Sequence, residues 1–222
     1  MVKALWRVYF VGDSVPDEPV QKRVAVFVDG QNLYHAAKEV FAYNFPNYDV
    51  MALAQTLCRH QGWSLQQTRF YTGVPAKEDN AFWNHFWIAK MAAMGRQGVI
   101  VFSRPLRYRY RKLHLPDGTE YSVLSGEEKG IDVLIAIDMI RLAHRQEYDV
   151  ALVFSQDQDL SEVAKELRIL AREQRRWLKV ASAFPGGITA RNRRGIEATD
   201  WISIDKDTYD ACLDSRDYRP PR

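Results

Sequence analysis

Apolar and polar positions along the chain fall into alternating blocks of two periods. "VAVFV" (24–28) is a short apolar run of the length of a buried strand, and it ends on Asp29 and Gly30. Directly after it, Leu33, Ala36, Ala37 and Val40 recur at helical spacing. "DVMALAQTLCRHQ" (49–61) predicts a second helix with Asp49 as its cap. "SLQQTRFYTGV" (64–74) reads as a strand, and "KEDNAFWNHFWIAKMAAMG" (77–95) as a helix closed by Gly95. "GVIVFS" (98–103) is a third strand, "GIDVLIAIDMIRLAHR" (130–145) a major helix, and "DVALVFS" (149–155) a fourth strand. "DLSEVAKELRILARE" (159–173) and "RWLKVAS" (176–182) give a last helix and a fifth strand. Strand and helix alternating at these intervals predict an α/β fold, a parallel sheet with helices on both faces. Before residue 22 and after residue 183 the two periods cannot be told apart.

One stretch breaks the alternation. "RPLRYRYRKLHLPDGTEYSVLSGEEKG" (104–130) sets Pro-Asp-Gly between two runs of period two, which predicts an inserted β-hairpin at about 104–124. Along its first strand Arg107, Arg109 and Arg111 share one side, and Tyr108 and Tyr110 the other.

Composition adds limits rather than a function. With 222 residues, 46% hydrophobic and 27% charged, the chain can bury one full core, which predicts a single domain with embellishments. The two cysteines, Cys58 and Cys212, lie far apart without CxxC spacing, so neither a disulfide framework nor a zinc site is supported. A reducing, cytoplasmic setting fits that usage. No run of 18 apolar residues exists, and the start of the chain meets acid and proline too early for a signal peptide. Net charge is only +3, but basic residues cluster in "RPLRYRYRK" (104–112), "RILAREQRRWLK" (168–179) and "ARNRR" (190–194). Such clusters are most often solvated faces, yet three of them raise the prospect of a polyanion partner.

Chemistry concentrates where strands end. Asp29 closes the first strand at the carboxyl end of a parallel sheet, where open α/β sheets bind ligands. "VFSQDQDLSEV" (153–163) brings Asp157 and Asp159 to the same edge after the fourth strand, with Ser155 in the turn. Asp132 opens the major helix, and Asp138, about 240° further round that helix, points away. Each acid alone reads as a helix cap or dipole partner. Together, Asp29, Asp132, Asp157 and Asp159 are carboxylates that repel unless a cation sits among them, and oxygen-only ligation favours Mg²⁺ or Mn²⁺ over zinc. Of the five histidines none pairs at metal-ligand spacing; His35 and His85 read as packing or surface residues, and "AFWNHFW" (81–87) as core.

"VFVDGQNLY", "KGIDVLIAIDM" and "FSQDQDLSEVAKEL", in this order and at these intervals, resemble the three signature blocks of the NYN domain family, the branch of PIN-like nucleases that includes the LabA-like bacterial proteins. The resemblance spans about residues 22–203. It implies a sheet of PIN-like topology and metal-dependent ribonuclease activity, with Asp29, Asp132 and Asp157 on the principal acidic positions. It likewise places Asp159 on the further acid of the third block and Asn32 on the asparagine of the first. The domain is expected over 22–205, between an extension (1–21) and a tail (206–222). Gln156 and Gln158 depart from the family, which reads glycine and serine there, and a side chain at 156 is expected to restrict the approach of backbone to phosphate.

The expected function is metal-dependent cleavage of RNA by an endonuclease in the cytoplasm. In it Asp29, Asp132, Asp157 and Asp159 hold Mg²⁺ or Mn²⁺, Asn32 and Ser155 orient ligands, and Lys129 contacts a phosphate. Arg107, Arg109 and Arg111 would grip the RNA backbone and Tyr108 and Tyr110 its bases. RNA is the expected partner, a membrane is not, and a homo-oligomer stays open. The alternative is an RNA- or protein-binding module of the same fold with weak or lost cleavage. A phosphatase or nucleotide-binding protein would explain the acids but not the arginine hairpin.

Overall fold

The computed structural model describes residues 16–114 and 120–220, except for the side chain of Arg111. Six strands form one parallel sheet: β1 (Arg23–Asp29), β2 (Ser64–Val74), β3 (Ile100–Pro105), β6 (Val150–Phe154), β7 (Lys179–Pro185) and β8 (Asp200–Ile204). Their order across the sheet is β3-β2-β1-β6-β7-β8, so the chain winds outward one way from β1 and then returns to wind the other way. The reversal falls between β1 and β6, and a doubly wound sheet opens a crevice there, beyond the carboxyl ends of the two strands.

Period two sorts the central strand between two cores. Val24, Val26 and Val28 of β1 face helices α1 (Gly30–Phe41), α2 (Val50–His60) and α3 (Ala81–Arg96), whereas Ala25 and Phe27 face α4 (Ile131–His144) and α5 (Ser161–Glu173). Both faces are covered, which is why β1 and β6 read as unbroken apolar runs. Helix starts follow their caps: Asp29, Asp49 and Asn80 accept from the backbone N–H three residues on. Phe86 and Trp87 of the aromatic run on α3 are buried, while Phe82 and His85 are exposed.

Two expectations shift. The fifth strand lies at 179–185 rather than 176–182, because Lys179 is the first residue in register with β6, opposite Val150. An edge strand, β8, follows in the region where the periods could not be told apart; "DWISI" is exposed at three of five positions and carries little apolar signal. A short helix α6 (Lys206–Asp210) closes the fold, and the buried Tyr209 packs on the core.

The inserted hairpin is a two-stranded antiparallel sheet of β4 (Arg107–His114) and β5 (Glu120–Glu127). It begins later than expected, since Arg104 and Pro105 extend β3 alongside Gly73 and Val74 of β2. The Pro-Asp-Gly turn lies outside the described residues. Among the described residues no helix is long and apolar enough to cross a membrane.

Candidate active site

Asp29 ends β1 and caps α1 at once, and its Oδ1 accepts from the Asn32 N–H at 3.0 Å. Asn32 in turn accepts, through Oδ1, from the Gln156 backbone N–H at 3.0 Å, which ties the turn after β1 to the turn after β6. The tie fixes the side chain of Asn32 across the switch point, and its amide nitrogen has no hydrogen-bond partner among the described residues. Tyr48, fully buried, donates to the Gly30 carbonyl at 3.0 Å and holds the first turn of α1 against the core.

The turn after β6 is built from its own side chains. Ser155 is 1% exposed, and its Oγ accepts from the Asp157 N–H at 3.1 Å. Ser155 therefore shapes the turn beneath Asp157 from a buried position. Asp157 caps a single turn of 3₁₀ helix (Gln158–Leu160), accepting from the Asp159 N–H at 3.0 Å. Asp132 sits in the first turn of α4, whose entry residue Gly130 has φ of 74°, a left-handed conformation that favours glycine.

Electrostatics join these acids. Burial pushes the Asp29 carboxyl up to about 7, and the charges of Asp132 and Asp157 add to the rise against the N–H groups it accepts from. Asp132 is raised by burial and then by Asp157 and Asp159. All four aspartates singled out in the sequence thus share one field at the carboxyl edge of the sheet. A fifth acid was not anticipated. Glu128, just past β5, reaches back to accept from the Gly73 N–H of β2, and burial together with the Asp29 charge pushes it up to about 8. Gly73 has to be a glycine for this approach: a Cβ there would stand 2.7 Å from the Glu128 Oε2 and 2.4 Å from Leu106. The sequence signal was the acid pair in "SGEEKGID", which reads as solvated charge unless the return of the hairpin to the sheet is known.

Neither Asp29 nor Glu128 has an ion-pair partner among the described residues, although Asp29 is 4% exposed. Hard, anionic oxygen donors with no neutralising side chain suit Mg²⁺ or Mn²⁺, so the donor chemistry fits such an ion. Among the described residues no three acidic, histidine or cysteine side chains already stand as a ready set of ligands.

The remaining expected residues lie around this cluster rather than in it. Lys129 is exposed beside Glu128. Arg107 and Arg109 are exposed on one side of the hairpin, Tyr110 is 75% exposed on the other, and Tyr108 is half-buried. The hairpin root is nevertheless at the site, since Leu106 N–H donates to Val74 at the end of β2 and β5 runs straight into Glu128. Asp138, which points away as expected, is buried in a different setting: it accepts from Arg69 at 2.6 Å and Tyr71 Oη at 2.7 Å, and pairs with Arg141.

The two unexpected glutamines do not cover the site. The Gln156 side chain donates to the carbonyls of Asn192 (3.2 Å) and Arg194 (2.8 Å), and Gln158 donates to that of Gly195 (3.1 Å). Both amides are turned towards the loop between β7 and β8.

The NYN domain model matches residues 23–181. A protein of unknown function from Vibrio parahaemolyticus has a similar structure, with a TM-score of 0.51 at 20% identity over 86% of this chain and 98% of that one. MurG from Acinetobacter baumannii aligns at a TM-score of 0.33 and 11% identity, over 82% of this chain and 45% of that one. No curated protein matches the chain.

Proposed function

Because the chain belongs to the NYN domain family, within the PIN-like nuclease superfamily, we propose that it is a metal-dependent ribonuclease, an endonuclease that hydrolyses phosphodiester bonds of RNA. The observation that carries this reading is the mutual charge effect among Asp29, Glu128, Asp132, Asp157 and Asp159 at the carboxyl edge of the sheet, with Asp29 buried, Glu128 half-buried and neither in an ion pair among the described residues. Carboxyls raised by burial and by one another's charge, as Asp29, Glu128 and Asp132 are, at the switch point of a doubly wound sheet are the pattern of a functional site rather than of a structural one.

Asp29, Asp132, Asp157 and Asp159 would hold Mg²⁺ or Mn²⁺, with Glu128 as a further ligand. Such an ion lowers the pKa of a bound water and neutralises charge on the scissile phosphate. The side chains themselves supply the placement. Asp29 is locked by its cap bond, and Asp157 by Ser155 beneath it. Asn32, pinned by the Gln156 N–H, keeps its NH₂ to orient a phosphate oxygen or water. Lys129, on the rim beside Glu128, offers a charge to the RNA backbone. No side-chain nucleophile is needed.

The test is cleavage of a mixed RNA pool by the purified protein in Mg²⁺, in Mn²⁺ and in chelator. Cleavage that requires the metal and is lost in Asp157→Asn supports the reading. A parent protein that binds RNA but leaves it intact in both metals overturns it in favour of a binding module.

A further inference from the structure

The loop between β7 and β8, residues 186–199, is bound to the acidic turn by side chains that no requirement of the fold explains. Gln156 donates to Asn192 and Arg194, Gln158 donates to Gly195 and accepts from the Glu197 N–H at 3.1 Å, and Ser182 Oγ links Ser155 to Ile196. Arg168 fastens the far end through the Ala198 carbonyl at 2.8 Å. Within the loop Arg193 is spent on the carbonyls of Ile188 and Ala190. Arg191 and Arg194 are different: both are exposed, and neither guanidinium has a partner among the described residues. The loop therefore presents two cations without a partner among the described residues, on a segment anchored by the residues flanking Asp157.

Beside them lies Trp201, the second residue of β8. Its Nε1–H donates to the Ile196 carbonyl at 2.8 Å and its ring rests on Gly195, where a Cβ would stand 2.5 Å from Cδ1. The ring is thus fixed in orientation yet 50% exposed, at the edge of a shallow depression of about 530 Å³ that Ile188 and Arg193 also line. Exposed cations next to an aromatic ring held in one orientation suit a strand whose phosphates and unstacked bases are both accessible.

We propose that this loop is the rim on which single-stranded RNA is seated, with Arg191 and Arg194 taking backbone phosphates beside the acidic cluster, Trp201 stacking on an unpaired base, and Gln156 and Gln158 acting as positioning residues that hold the rim to the site. The inference rests on the ribonuclease reading and deepens it. It also gives the two departures from the family pattern a role, since glycine and serine at these positions lack the amide groups that reach the loop.

The experiment titrates a labelled single-stranded RNA into the protein in chelator at several salt concentrations. Arg191→Ala/Arg194→Ala should bind on the order of tenfold more weakly, with a salt slope shallower by about 1.4, at roughly 0.7 per phosphate contact. Gln156→Ala/Gln158→Ala removes no charge, yet it should weaken binding as well and speed amide hydrogen exchange across residues 186–199. Equal affinity and parallel slopes for the arginine variant overturn the rim. Faster exchange with unchanged affinity in the glutamine variant overturns the positioning role, because a merely structural tie would move exchange alone. If the parent binds but cleaves in no metal, the ribonuclease reading falls and the rim stands. If the parent cleaves and the arginine variant binds like it, only the rim falls.

Discussion

Strands β1 and β6 run side by side from Val24 opposite Val150 to Val28 opposite Phe154, and each end of the pair carries a shielded aspartate. At the amino end Asp149 accepts from Arg23 through the backbone N–H (2.9 Å), Nε (3.0 Å) and Nη2 (2.9 Å), with Arg176 at 3.8 Å. Burial there would raise the carboxyl, but the hydrogen bonds and charge of Arg23 outweigh it and hold Asp149 below the usual range. At the carboxyl end Asp29 is shielded as well, accepts only backbone N–H groups and stands among other acids, so its carboxyl rises to about 7. The same two strands thus end once in a completed ion pair and once in an unpaired charge. Shielding a carboxylate costs stability wherever it occurs, so the end without a cation is the one kept for something other than holding the fold.

The largest effect expected from breaking this contrast is on cleavage. Asp29→Asn keeps the shape and cap of the residue but removes a charge, and RNA cleavage in Mg²⁺ or Mn²⁺ should fall at least about 100-fold, since metal-site and electrostatic terms carry most of such rates. A rate equal to the parent's would place the site elsewhere. Next comes the opposite end. Asp149→Ala leaves Arg176 shielded and uncompensated, and urea unfolding should show a loss of about 2 kcal/mol with cleavage by the remaining folded protein unchanged. A neutral result would mean that the amino-terminal pair is as dispensable as a surface bridge.

The pH dependence should differ in sign between the two ends. With metal chelated, folded Asp29 and Glu128 keep protons that the unfolded chain has already released, so stability falls as pH rises from about 4.5 towards 8. Asp149 does the reverse: its contribution is present above the unfolded carboxylate range and is lost as pH falls through and below it. Denaturation midpoints of parent and Asp29→Asn between pH 5.5 and 8.5 in chelator check this, and the variant should lose part of the decline. Superimposable profiles would show that Asp29 is not held protonated by its surroundings. The smallest effect concerns the hairpin. Arg107→Ala/Arg109→Ala/Arg111→Ala should weaken single-stranded RNA binding a few-fold and flatten its salt slope, because Arg109 lies 3.9 Å from Glu127 and the basic end of β4 is already paired with Glu120. Unchanged binding would leave these arginines as guards of an exposed strand.

Whatever depended on local periodicity was legible in the chain. The apolar run ending in Asp29, the cap at Asp49 and the strand before Ser155 all fall where their patterns put them, and the hairpin forms three residues later than its pattern put it. The coming together of Asp29 and Asp157 followed from parallel strands ending at one edge. Glu128 was not legible, because its part depends on the hairpin folding back onto Gly73, 55 residues away. Gln156 and Gln158 were legible only as departures; the loop they bind lies more than 30 residues on, in a stretch with no periodic signal. β8 was missed because an edge strand half open to solvent needs little apolar sequence.

Placing β1 at the centre has a consequence for synthesis. Among the described strands of the sheet β1 leaves the ribosome first, yet its second neighbour, β6, begins only at Val150. Until then β1, β2 and β3 can form a half-sheet whose β1 edge is a row of open backbone groups flanked by Val24, Val26 and Val28. A flat apolar edge of this kind is a template for pairing with another chain. The span between β3 and β6, with the hairpin and α4, is therefore the interval in which a nascent chain is most exposed to misassembly.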